Sequence, residues 1–188
     1  MISQGSRLGR CRASDLLNRL GLNDGQLRPA EHVLGRALQA AGLTATELPE
    51  TDPLLAGAVG VLDRDVETVW LRQGLRRSTR NYLVAHEVGH WCLHPHERTF
   101  EESATARQDA ERASVSTVTG YSPVQRNEVE ASAFAAELLV PQRALVSARR
   151  SGMTWREIAD HVGVDSGVVA RQLVLHFFEE SNLTDGPR

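Results

Sequence analysis

A chain of 188 residues, with 41% hydrophobic and 24% charged side chains, has the make-up of a soluble globular protein of one domain, or one domain with a small appendage. A formal net charge of -3 does not suggest bulk electrostatic binding to nucleic acid, and no apolar run is long enough for a membrane-spanning helix. Residues 1–12 carry Arg7, Arg10 and Arg12 and no apolar signal core, and Cys11 and Cys92 make no disulfide framework. A reducing cytoplasm is the simplest compartment.

Residues 1–28 form an N-terminal segment expected to be partly disordered. Within it, residues 14–20 suit a short helix ended by Gly21, and Asn23-Asp24-Gly25 suits a turn. Pro29 opens a clear helix in which Val33, Leu34, Ala37, Leu38 and Ala41 recur at helical spacing before Gly42. Residues 43–48 are strand-like and end at Pro49. Residues 56–62 and 66–71 are apolar runs divided by Asp63-Arg64-Asp65, the pattern of a β-hairpin.

Residues 86–90 read His-Glu-Val-Gly-His. They fall in a helix for which Ser78 or Thr79 is the expected N-cap and which Pro95 ends by pushing His94 out of helical geometry. Positions i and i+4 share one helix face, so His86 and His90 could hold one divalent metal from the same side. Glu87 would project beside them as general base toward a metal-activated water, the pattern of zincin metallopeptidases. Cys92, two positions after His90, points away from that face and reads as a buried core thiol.

Residues 95–126 hold few large apolar groups and read as a long connection with a short helix near 103–113. Residues 125–140 are helical again, with Val129, Ala133, Phe134, Ala136, Leu138 and Leu139 on the apolar face, and Pro141 ends this helix or begins the next. A basic helix follows over 142–150. Thr154 and Glu157 make a capping box for a helix over 154–161, and a turn at Val162-Gly163-Val164 leads to a helix over 166–178. Two helices joined by a glycine-containing turn resemble a helix-turn-helix. Arg171 lies there without a basic recognition stripe around it, so DNA binding is possible but not favoured. Residues 179–188 are polar and expected to be a disordered tail. The fold class is α+β: a mostly helical zincin-like domain over 29–141 with a small antiparallel β-sheet, then a helix-turn-helix-like helical subdomain over 142–178.

A catalytic zinc site takes three protein ligands. His94 lies two turns from His86, about 12 Å along a regular helix, too far to share one ion with it. His96 stands where a metzincin has its third histidine, but the glycine that pattern needs is replaced by Leu93. Glu128 would complete a His-His-Glu site; as a residue near a helix start it is equally an ordinary N-terminal acid.

Three stretches resemble the ImmA/IrrE family of zinc-dependent peptidases. They are Tyr82-Leu83-Val84-Ala85-His86-Glu87-Val88-Gly89-His90 with Leu93-His94; Glu128-Val129-Glu130-Ala131-Ser132-Ala133-Phe134-Ala135-Ala136-Glu137-Leu138-Leu139-Val140-Pro141; and, more weakly, residues 158–164 with 168–173. Ser132 departs from the family's Asn or Asp. The resemblance, with Asn127-Glu128-x-x-Ala131 also similar to the glutamate helix of thermolysin-like enzymes, favours Glu128 as third ligand. Glu130, about 200° round the helix, is the fallback. The resemblance implies Zn²⁺ held by His86, His90 and Glu128 (Mn²⁺ or another divalent ion being possible), Glu87 as catalytic base, and a protein substrate, an XRE-type transcriptional repressor. An edge of the small sheet would receive the substrate strand. Tyr82, Tyr121 and His161 are candidates to steady the oxyanion. The competing expectations are a non-catalytic anti-repressor or DNA-binding regulator with a structural metal, and a toxin-antitoxin or mobile-element immunity component.

Overall fold

The apolar spacing around Val33 and Leu34 produces the expected helix. In the computed structural model, which describes residues 4–95 and 123–184, it is α2, Ala30–Ala41, with Pro29 at the N-cap and Gly42 closing it at φ 71°. Before it comes α1, Gln4–Leu20, which begins ten residues ahead of the expected start. After it come β1, Thr44–Leu48; a 3-10 turn, Pro53–Leu55; β2, Gly60–Asp63; and β3, Thr68–Arg72. The helices α3, Arg77–Leu93; α4, Pro123–Leu139; α5, Gln142–Arg150; α6, Trp155–Val162; and α7, Ser166–Thr184 complete the described chain. The expected connection after Pro95, its short helix over 103–113, and both His96 and Tyr121 lie outside the described residues.

The fold is α+β and mostly helical, as expected. The sheet is mixed rather than antiparallel throughout: its order is β1-β3-β2, with β2 antiparallel to β3 and β1 parallel to it. The cause lies between Pro49 and Ala58. The Asp52 side chain accepts from the Leu54 amide, Pro53 fixes the next φ, and Ala56 and Gly57 take positive φ of 46° and 81°. Residues 56–58, expected to open a strand, instead form a turn that carries the chain to the far edge of the sheet, so β2 pairs beside β3 and away from β1. Thr44 and Thr68 hydroxyls share a 2.8 Å hydrogen bond across the parallel pair.

Helix α3 is the element the others surround. It starts at Arg77 with Arg76 at the N-cap, so Ser78 and Thr79 fall inside its first turn and cap nothing. Tertiary ion pairs tie that turn down instead. Arg77 bonds Glu31 of α2, one contact being 2.7 Å, and Arg80 bonds Glu47 of β1 at 2.9 Å. The Arg77 hydrogen bonds lower the Glu31 carboxyl to about 2. At the other end Arg64, in the hairpin turn, donates 2.9 Å bonds to the carbonyls of both His90, which also accepts from the His94 amide at 3.0 Å, and His94. The hairpin thereby fixes the C-terminal turn of α3. His94 leaves helical geometry at φ -125°, as Pro95 requires.

α4 lies against both α3 and α1, and the close approach is made by glycines. A Cβ on Gly89 would stand 3.1 Å from the Ala131 carbonyl, and one on Gly9 only 2.1 Å from the Glu130 carbonyl. Phe134 of α4, with no exposed surface, fills the space between them. Burying such a ring contributes about 1.5–3 kcal/mol. The C-terminal helices join the same core through Ile158, Val162, Val164 and Val169. Thr154 and Glu157 form the expected capping box of α6. Gln172 of α7 donates to Glu137 at 3.0 Å and to the Val140 carbonyl at 2.9 Å. Burial pushes the Glu137 carboxyl up. α7 runs to Thr184, six residues past its expected end.

Candidate metal centre

His86 and His90 stand one turn apart on α3, and α4 presents Glu128 to both. His86 Nε2 lies 3.2 Å from Glu128 Oε2, His90 Nε2 lies 3.1 Å from Oε1, and the two Nε2 atoms are 3.0 Å apart. All three side chains are buried, at 4 to 7% exposure, so the cluster is not a chance meeting of surface groups. Around a tetrahedral ion with bonds of about 2.0–2.1 Å, neighbouring donor atoms stand about 3.3 Å apart. The observed triangle is within a few tenths of that size, and its two imidazole nitrogens and one carboxylate are a donor set such an ion accepts. Among the described residues, these three form the one group of His, Cys, Asp or Glu side chains placed to hold a metal.

The electrostatics agree with that chemistry. Burial alone would raise the Glu128 carboxyl, but hydrogen bonds with His86 and His90 outweigh it and hold the group well below the usual carboxylate range. The side chain is therefore stabilised as an anion between two imidazoles, the form in which a carboxylate ligates a divalent ion. Ser132, one turn along α4 from Glu128, places its hydroxyl 3.5 Å from His86 Nδ1. It faces the outer nitrogen of His86, the position where the resembled family carries Asn or Asp.

Glu87, next to His86, is 1% exposed and is not one of the three converging donors. Glu130 does not join the cluster either. Its Oε2 sits 3.0 Å from His94 Nε2, and His94 Nδ1 sits 3.3 Å from His90 Nδ1. The fallback ligand and the rejected histidine are thus paired with one another. A histidine at 86, 90 and 94, each one turn from the next, was the signal available for this contact.

Of the oxyanion candidates among the described residues, Tyr82 has its ring centroid 6.2 Å from that of His86. His161 is exposed and its Nε2 lies 3.4 Å from the Leu27 carbonyl. Cys92 is exposed rather than buried. It lines a cavity of about 730 Å³ with Arg12, Arg19 and Trp91, where α1 and α2 leave this side of α3 uncovered. That cavity touches none of the three converging residues. A smaller one, about 360 Å³, does: Glu128, Ser132 and Ala133 form one wall and Arg171 and Leu175 of α7 another. Proximity to the donors, not volume, marks the second as the cleft of interest.

An α+β domain whose two packed helices bring a His-His-Glu set to the side of a cleft has a donor arrangement that could hold a metal ion. The family model described as an IrrE N-terminal-like domain, of peptidase family M78, matches residues 54–174, and the chain belongs to that family. The match takes in α3, α4, α5 and α6 whole and leaves α1 and α2 outside it. A search of the curated proteins finds no match. No helix among the described residues is long and apolar enough to cross a membrane.

Proposed function

We propose that the chain is a zinc-dependent endopeptidase that cleaves a protein substrate, an XRE-type transcriptional repressor, in the cytoplasm. The observation that carries this reading is the convergence of His86, His90 and Glu128, from two helices, beside Glu87. When bound, zinc supplies Lewis-acid polarisation of a scissile carbonyl and brings the pKa of water toward neutrality. His86, His90 and Glu128 hold it, and Ser132 steadies the ring of His86. Glu87 acts as general base, taking a proton from the attacking water and delivering it to the leaving amine. Its burial limits exchange of that proton with bulk solvent.

The surroundings suit a selective groove. β2 is an edge strand of the sheet and packs on α3, the arrangement in which an extended peptide can add as a further strand. The cleft beside Glu128 offers room for a side chain of that peptide. Arg171, the residue through which the C-terminal helix pair would best reach DNA, lines this cleft. That placement favours the pair as a wall of the substrate site over a DNA reader.

The reading is tested by incubating the purified chain with an XRE-type repressor from its own genomic neighbourhood. A single discrete cut is expected, abolished by a chelator and restored by added Zn²⁺. A cut that survives chelation, or a repressor left intact by the zinc-loaded chain, counts against it.

A further inference from the structure

We propose that Glu130 and His94 are positioning residues that fix the tautomer and orientation of His90; the inference rests on the reading of His90 as a metal ligand. A carboxylate oxygen can only accept, so at 3.0 Å the proton of that contact sits on His94 Nε2. His94 Nδ1 is then an acceptor, and at 3.3 Å it takes the Nδ1 proton of His90. With that proton fixed on Nδ1, Nε2 is the nitrogen of His90 that faces the point it shares with His86 and Glu128, and the proton it shares there with Glu128 at 3.1 Å is the one a cation would displace on binding. The reverse assignment would leave the imidazole lone pair on Nδ1, turned to His94 and away from the converging donors. Carboxylates and carbonyls that accept from the outer nitrogen of a ligating histidine orient the ring and raise its basicity. Here one more imidazole is interposed, because Glu130 stands too far along α4 to reach His90 itself.

The surroundings show that the pair is built in. His94 is 8% and Glu130 7% exposed, so the contact is shielded from water. α1 presses on Glu130 through glycine: a Cβ at Gly5 would lie 3.2 Å from Glu130 Cγ. Arg126, one turn earlier on α4, lies 3.7 Å from the other carboxylate oxygen. The C-terminal turn of α3 that carries His94 is itself held by Arg64.

A purely structural His–Glu link would affect stability and leave the metal alone. The test compares the wild-type chain with His94→Leu, His94→Gln and Glu130→Leu. Each is loaded with Co²⁺, and affinity is read by chelator competition, the ligand field by visible absorption, and folding by thermal unfolding of the metal-free chain. His94→Leu is expected to weaken Co²⁺ binding by about 10–100-fold and shift the absorption bands. His94→Gln, whose amide oxygen can still accept from His90 Nδ1, is expected to recover most of that loss. Wild-type affinity and spectrum in folded His94→Leu, or a Gln variant as weak as the Leu variant, overturns the proposal. Should His94→Leu not fold, Glu130→Leu, which offers His94 Nε2 no acceptor, reads the same relay: a loss of about tenfold supports it and wild-type affinity refutes it. Glu128→Ala, run alongside, separates the two levels, since undiminished binding in that variant would refute the metal site itself.

Discussion

Glu87→Gln is expected to keep its metal, its fold and its substrate affinity while cleavage falls by about 10²–10⁴-fold, the usual contribution of a positioned general base. The amide has the shape of the carboxylate, so the packing around this buried position is preserved. It lacks a basic site, so it can neither take the proton of the attacking water nor return it to the leaving amine. Because Glu87 is not among the converging donors, no ligand is lost. The effect should fall on kcat, with KM little changed, and single-turnover cleavage of the repressor beside metal analysis measures both. A variant that cut at the wild-type rate would remove Glu87 from the mechanism and favour a non-catalytic regulator.

The second large effect is on stability. Gly9→Ala places a methyl group 2.1 Å from the Glu130 carbonyl oxygen and 3.0 Å from the Phe134 amide nitrogen, both backbone atoms that cannot rotate away. α1 and α4 must separate, opening space beside fully buried Phe134 and loosening the cover over Glu130. Overpacking of this kind costs about 1–3 kcal/mol, and in a chain of this size each kcal/mol lowers Tm by about 2–4 °C. Gly35→Ala is the control. It also lies within a helix, but its Cβ would meet nothing within 4 Å, so relief of the glycine penalty should stabilise α2 by up to about 1 kcal/mol. Equal melting temperatures for Gly9→Ala and the wild type would contradict the helix contact on which the site's frame depends.

The same glycines explain why the first helix was only half legible. Gly5 and Gly9 lower helix propensity and interrupt the apolar stripe, so the pattern emerges only from Ser14 onward. They are there because α4 passes too close for any side chain, a fact that exists only in three dimensions. The His86–His90 pair was legible because its geometry is local: one helix, one turn, one face. Glu128, by contrast, is 42 positions from His86, and its spacing alone left it equal to an ordinary helix-capping acid; the resemblance chose it, and the fold brings it to both histidines. Glu130 was set apart by its angle on the helix; the fold pairs it with His94, for which the one-turn spacing of histidines 86, 90 and 94 was the available signal.

Other misreadings share one cause, local preference overruled by what lies nearby. Ser78 and Thr79 are good capping residues, yet the arginines around them find Glu31 and Glu47 and set the helix start instead. Ala56-Gly57-Ala58 runs on smoothly into a strand in sequence, but the 3-10 turn seeded by Asp52 and Pro53 claims it. Cys92 was placed in the core by its position on the helix, away from the metal face, and a gap between α1, α2 and α3 leaves it exposed.

The central claim is that three residues from two helices hold one ion, and native mass spectrometry with zinc tests it most directly. The account predicts one zinc per chain in the wild type and in Glu87→Gln, and none retained by Glu128→Ala at the same free-metal concentration. A wild-type chain that takes up no zinc, or a Glu128→Ala chain that keeps its full complement, would contradict it.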